Sequence, residues 1–216
     1  MKQFYFILIV PIRILFTILG ILFSLFRKGS IYNLITEIRF SFYKGYYSSA
    51  FKSLGTNLKI KYKIDLIGSE LITIGSNFEV LGKLRLGAFK RHNDLSFLPE
   101  IIIGDNVSIN FNCHISCINK VQIGDNVLMA SHIFITDHYH GKIDDSELKK
   151  SPSQRELYSP GPVIIENNVW IGEGVTILPN VIIGENCIIG ANSVVTKSFP
   201  KNSVIVGSPA KVIKKL

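Results

Sequence analysis

The chain has 216 residues, enough for one sizeable domain with its own core and a modest appendage. With 47% hydrophobic and only 19% charged residues, it is neither a disordered segment nor a highly charged helical protein. A formal charge of +8 points to an acidic partner such as a membrane surface or a phosphate-bearing cofactor; no motif for nucleic acid is present, and none is expected as a partner.

Residues 4–26, "FYFILIVPIRILFTILGILFSLF", are apolar on every face and have the length of a bilayer span, interrupted by Pro11 and Arg13. No small-residue cleavage site comes after it; the next residues are Arg27, Lys28 and Gly29. Residues 1–28 are therefore expected to form a hydrophobic membrane-associated helix. It either spans the bilayer or enters one leaflet with Arg13 reaching the headgroups. Arg27, Lys28, Arg39 and Lys44 come after the segment and only Lys2 precedes it, a bias that places the remainder in the cytoplasm. Within residues 29–57, Ile31, Leu34, Ile35, Ile38 and Phe42 recur at helical spacing and predict an amphipathic helical linker, lying on the membrane or packed against the main domain.

From Leu58 onward a six-residue period replaces the helical one. Positions 165, 171, 177, 183, 189 and 195 read Ile, Ile, Ile, Ile, Ile and Val, and the fourth residue after each reads Val169, Val175, Val181, Cys187, Ser193 and Phe199. The same phase holds at Ile103, Ile109 and Ile115 and, after a two-residue insertion near Asn119, at Ile123, Met129 and Ile135, with fainter copies at Ile74, Val80 and Leu86. Such a period fits a short strand, a tight turn and a return, with a β-branched residue inward and a small or medium one in the adjacent corner. Repetition this sustained predicts a parallel β-helix over residues 58–216, three hexads to a coil. Cys113 and Cys187 fall on inward corners, so they read as core thiols; the three cysteines, with Cys117, form no disulfide or zinc pattern and fit a reducing compartment.

The hexads resemble those of the hexapeptide-repeat acyltransferases across roughly Leu58 to Lys215. That resemblance implies the left hand of the coil, which nothing in the residues gives and which opposes the usual right-handed crossover. The expected fold is thus all-β, a left-handed parallel β-helix behind an N-terminal hydrophobic helical segment.

A solenoid core carries no chemistry, so the site is sought where the repeat breaks: at residues 136–162, and at residues 88–99, which contain His92. The first break opens with "TDHYHG". In the sugar O-acetyltransferase branch, the catalytic histidine lies just past a repeat like "IGDNVLMASHI" (Ile123 to Ile133), in a "TxxHP"-like turn. Counting without gaps, the residue on that position is His140; His138 is the alternative, read as an orienting or structural partner. Gly141 replaces the common proline. A neutral imidazole there can take a hydroxyl proton near pH 7, worth roughly 10²–10⁴ in rate. Asp137 is a candidate to orient an imidazole.

Further likenesses fill out the site. Asn110, in "INFN", matches the family's acceptor-binding asparagine at the family's interval from His140, and offers both donor and acceptor to a sugar hydroxyl. Ile118 stands where the family often has an acidic residue. Trp170 in "NNVWIG" matches the tryptophan beside the active site. Ala191, after Gly190, leaves room for an amide-bearing ligand arm. "VVTKSFP" places Thr196 and Lys197 at the pantetheine and phosphate end of coenzyme A. "VGSPAKVIKKL" places Lys211 and Lys214 at the nucleotide phosphates, as point charges without the fork of arginine.

What the resemblance implies is an acetyl-coenzyme A-dependent acetyltransferase of a sugar hydroxyl, direct transfer in a ternary complex, and a homotrimer with sites between subunits. The apolar N-terminus directs the substrate toward a cell-surface glycan precursor, of capsule, lipopolysaccharide or exopolysaccharide, at the cytoplasmic face of a bacterial membrane. Two rivals come from other classes. A trimeric β-helix zinc hydratase would need three converging imidazoles among His114, His132, His138 and His140. A non-catalytic glycan-binding scaffold would leave the matched cofactor positions without a role. No metal is expected.

Overall fold

The computed structural model describes residues 2–27, 29–142, 144–147 and 149–216, so Lys28, one of the basic residues flanking the first segment, lies outside it. Met1–Ser41 and Phe42–Leu216 are two separate compact units. The first holds α1 (Lys2–Arg27) and the larger part of α2 (Ser30–Tyr46). α1 continues through Pro11. Proline removes one backbone donor, and the rest of the hydrogen-bond ladder persists. Large apolar side chains from Val10 to Phe23 are exposed. The hydroxyls of Thr17 and Ser24 fold back on the carbonyls of Arg13 and Ile21. Among the described residues, no helix is long and apolar enough to cross a membrane.

The second unit is the coil. Strands stack into three faces, of six, eight and six strands, parallel except for the last pair of the eight-stranded face, and the fold is the left-handed parallel β-helix that the resemblance implies. The inward residues align across coils. Ile74, Ile103, Ile123, Ile165 and Ile183 pair in sequence on the first face. Val80, Ile109, Met129, Ile171 and Ile189 do so on the second. Leu86, Ile115, Ile135, Ile177 and Val195 form the row of the third. All of these are at most 1% exposed, so each contributes about 1.5–3 kcal/mol of burial. The coil begins at Ser53, ahead of Leu58: Leu54, Ile60 and Leu66 pair with Ile74, Val80 and Leu86.

One corner is built by asparagine. Asn57, Asn77, Asn106, Asn126, Asn168, Asn186 and Asn202 all sit in the left-handed region at φ 57–59°, which asparagine tolerates better than other residues with a Cβ. Their amides also form a ladder, Asn57 to Asn77 at 2.7 Å, Asn77 to Asn106 at 2.8 Å and onward at 3.0 Å to Asn126 and Asn168. The ends are closed differently. Tyr47 is buried at the N-terminal end, where its hydroxyl accepts from the Ile64 N–H at 2.8 Å. At the other end Ala210–Lys215 runs antiparallel to Ser203–Gly207, and buried Ser193 donates to the Gly190 carbonyl while accepting from the Gly207 N–H.

Two insertions leave the coil from the same corner, where the third face turns into the first. One comes after Leu84–Ala88 and forms a small hairpin, Arg91–His92 against Leu95–Ser96. The other comes after Phe134–Thr136 and pairs Tyr139–His140 with Leu157–Tyr158.

Candidate active site

The site begins where the repeat ends. Thr136 is the last residue of its strand, and Asp137, next to it, turns wholly inward at 0% exposure. Its carboxylate accepts from the backbone N–H groups of Ile118 at 3.0 Å and Asn119 at 2.7 Å, from the Cys117 thiol, and from Nδ1 of His138 at 2.8 Å. Burial opposes its charge, but the His138 imidazole and these donors outweigh it and hold the carboxyl below the ordinary range. Burial, with the Asp137 charge as the next cause, pushes the Cys117 thiol far up, so it stays protonated and donates. Asp137 thus ties the root of the loop to the neighbouring coil, and His138 is locked onto it. Ile118 is buried and its N–H is committed to Asp137, so this position presents no side chain to an acceptor.

His140 stands differently. It is exposed, on a strand held by Leu157, and its ring meets that of His92 edge-on, centroids 5.6 Å apart at 78°. Burial, and then the proximity of His92 and His138, lower its pKa below that of a free imidazole, so it is neutral and able to accept a proton at pH 7. Gly141 accounts for its own departure from the family's proline. Its φ is +94°, which no proline ring can adopt, and its N–H donates to the Glu156 carbonyl at 2.8 Å.

Asn110 and Ala191 lie at a second corner, between the second and third faces. Asn110 is half-buried at the end of Ser108–Ile109, and Ala191 lies exposed in the same turn of a later coil. A Cβ on Gly190 would meet Val206 Cγ1 at 2.6 Å, so that glycine is explained by packing, and the adjacent open position belongs to Ala191. Trp170 projects from the outer side of the second face, 51% exposed. It begins a cross-strand row running through Ile188 and Val204 to Lys214, which three strand spacings put roughly 14 Å away. Lys211 and Lys214, an odd number apart, would point to opposite sides of a regular strand. The pairing Val206 with Lys211 and Val204 with Lys214 leaves Ile213 as a bulge and returns both lysines to the outer side.

Thr196 and Lys197 are exposed at the first corner, with His140. Thr196 shares a surface cavity with Tyr139, Lys142 and Tyr158. The third face, five residues wide at Cys113–Cys117, separates Asn110 from the loop root by roughly 16 Å. One chain therefore holds the expected residues in two groups: His140, Thr196 and Lys197 at one corner, and Asn110, Trp170, Ala191, Lys211 and Lys214 around the other. Sequence reasoning missed the contact of His92 with His140, which joins positions 48 apart only because both insertions leave one corner (140 − 92).

Within one chain the imidazoles named for a zinc hydratase lie apart. His132 occupies a left-handed turn at φ 60° at the second corner, and His114 packs on Phe134 on the third face. Among the described residues, no group of three or more His, Cys, Asp or Glu is arranged to hold a metal ion. All three thiols are buried and unpaired with one another.

A stiff β-helix with an exposed imidazole at one corner and a tryptophan-to-lysine row on another face is a scaffold on which acyl transfer can be built. The family described as bacterial transferase hexapeptide (six repeats) matches residues 162–197. The chain is 46% identical over 148 residues to the Escherichia coli K12 protein named as a lipopolysaccharide biosynthesis O-acetyl transferase, WbbJ, over 67% of this chain and 71% of that one. It is 44% identical over 121 residues to galactoside O-acetyltransferase of the same organism, over 56% of this chain and 57% of the relative, little more than half its length. A solved galactoside acetyltransferase in complex with coenzyme A superposes with a TM-score of 0.51 at 33% identity, over 76% of this chain and 65% of that one. The chain belongs to the hexapeptide-repeat acetyltransferases, in their sugar O-acetyltransferase branch, and is an acyltransferase.

Proposed function

We propose that the protein transfers the acetyl group of acetyl-coenzyme A to a hydroxyl of a sugar in a cell-surface glycan precursor, at the cytoplasmic face of a bacterial membrane. The observation that carries the chemistry is the placement of His140: exposed, beside His92 and held on a hairpin whose root is fixed by fully engaged Asp137. His140 takes the proton of the acceptor hydroxyl as its oxygen attacks the thioester carbonyl carbon. The carbon–sulfur bond then breaks, and the imidazolium returns its proton to the departing thiolate. A backbone N–H at the coil edge stabilises the oxyanion. The thioester is already activated, so no acyl-enzyme is formed.

Asn110 binds the acceptor. Trp170, Ala191, Thr196 and Lys197 line the pantetheine, and Lys211 and Lys214 meet the nucleotide phosphates. These groups occupy two corners of one coil, so a complete site draws one half from each of two copies, and a homotrimer supplies three such junctions. The glycan precursor is supported by the likeness to WbbJ, and the membrane by the exposed apolar length of α1.

The test is transfer from labelled acetyl-coenzyme A to a panel of cell-envelope glycan precursors, with the product mapped. A labelled sugar ester is expected; label found only in free acetate, or on an amine, overturns the reading. Removing residues 1–28 is expected to release the protein from membranes, and continued sedimentation with them contradicts the placement.

A further inference from the structure

We propose that His92 is a positioning residue for the His140 base, its Nδ1 accepting a hydrogen bond from the imidazolium that forms when His140 takes the acceptor's proton. The inference rests on the reading of His140 as the base.

A histidine base ordinarily has a third group behind it, which fixes the ring and stabilises the imidazolium. Asp137 would be the obvious candidate by sequence, but its two oxygens are committed to His138, Cys117 and the Ile118 and Asn119 N–H groups. The side chain that does meet His140 is His92. Its ring stands edge-on to that of His140 at a centroid distance of 5.6 Å. A nitrogen-to-nitrogen hydrogen bond between two imidazoles places the centroids at roughly 5 Å, so a small rotation of either ring closes the gap. Bonds of this kind commonly tighten only when the substrate is bound.

His92 Nδ1 is buried, and no hydrogen-bond partner reaches it among the described residues. An unmade bond at a buried polar atom costs free energy and calls for a partner that arrives later. The imidazolium of His140 is such a partner. In the neutral resting ring the His140 nitrogen turned away from the acceptor carries the single N–H; when the other nitrogen takes the acceptor's proton the ring gains its charge, and the first N–H becomes a stronger donor to a neutral His92 Nδ1. The hairpin that carries His92 is built for rigidity: Arg91–His92 pairs with Leu95–Ser96, the Phe97 N–H donates to the Lys90 carbonyl at 2.8 Å, and Asn93 takes the left-handed turn at φ 51°. It leaves the coil from the same corner as the His140 loop, so its position relative to the base is set by coil stacking.

The experiment compares His92→Phe, which keeps a ring but no acceptor, with His92→Asn, whose amide can present an oxygen near the Nδ1 position. His140→Ala serves as the control, and all are assayed in the full-length protein by steady-state acetyl transfer to the mapped acceptor. His92→Phe is expected to lower kcat about tenfold or more, the loss of one hydrogen bond to a charged group, with KM for acetyl-coenzyme A unchanged. His92→Asn is expected to recover most of that loss. Wild-type kcat in His92→Phe, or equal losses in both variants, overturns the proposal; so does a loss matched by a fall in the thermal midpoint of both. Full activity in His140→Ala would instead remove the base itself, an outcome distinct from failure at His92.

Discussion

Nδ1 of His138 lies 2.8 Å from a carboxylate oxygen of Asp137, whereas the ring of His140, two residues on, makes no hydrogen bond with any described residue. The two imidazoles of "DHYH" therefore have separate tasks. One fastens the loop to the coil, and the other is left free at the coil's edge, neutral and beside His92. A strand alternates its sides with a period of two, which would put both rings on the same side. The turn of Asp137 into the interior breaks that equivalence.

The fastening has a measurable worth. Asp137→Asn replaces one acceptor oxygen by an N–H₂ group facing buried donors, and each donor left unpaired costs about 1–3 kcal/mol. A lowered thermal midpoint is expected. Because the folded-state pKa of Asp137 is depressed, its contribution is present above the unfolded carboxyl value and is lost as pH falls through the folded one. The difference between wild type and variant should accordingly shrink under acid, and a gap that persists at low pH contradicts this account.

Activity should track the protonation of the base. Burial, the largest cause, disfavours the imidazolium of His140, so the neutral, active form survives to lower pH than in a free histidine. The acid limb of kcat/KM is expected to inflect below about 6.5. An inflection at or above neutrality would show that another group carries the proton.

The bulge at Ile213 makes a claim about the cofactor's far end. Lys211 and Lys214 of the C-terminal strand both lie on the outer side with the Trp170 row. Lys211→Gln and Lys214→Gln should each raise KM for acetyl-coenzyme A by roughly two- to tenfold, with kcat little changed. Steady-state kinetics at varied acetyl-coenzyme A decide it, and an unchanged KM in both removes the phosphate assignment.

Much of the fold was legible because each hexad carries one β-branched residue that the coil buries completely, as at Ile165, Ile171 and Ile177. The start of the first coil escaped notice because, beside the fully buried Ile60, two of its three inward residues are only partly enclosed. Leu54 and Leu66 pack against the core from an open end closed by Tyr47 and Phe51, so the hydrophobic signal is diluted. The asparagines at 57 and 77 could have marked it, since they repeat the corner chemistry of Asn106 and Asn126. At the site, register selected His140, while the partition of the expected residues between two corners was invisible. A linear repeat states which residues face outward but not which edge of the triangle they reach. The pairing of His92 with His140 was hidden for the same reason.

That partition predicts complementation. Asn110→Ala and His140→Ala subunits should each be impaired alone. Co-assembled, they should regain activity at junctions where an intact Asn110 from one copy meets an intact His140 from another. Mixed assemblies no more active than the separate variants would place the whole site in one chain.

The most direct test sets His140→Ala beside His138→Ala in the same transfer assay, with thermal unfolding of each. The account predicts that His140→Ala folds normally and loses transfer by about two to four orders of magnitude, the worth of a general base. It predicts that His138→Ala unfolds earlier yet retains turnover. A stable, inactive His138→Ala beside an active His140→Ala would reverse the assignment of the two histidines.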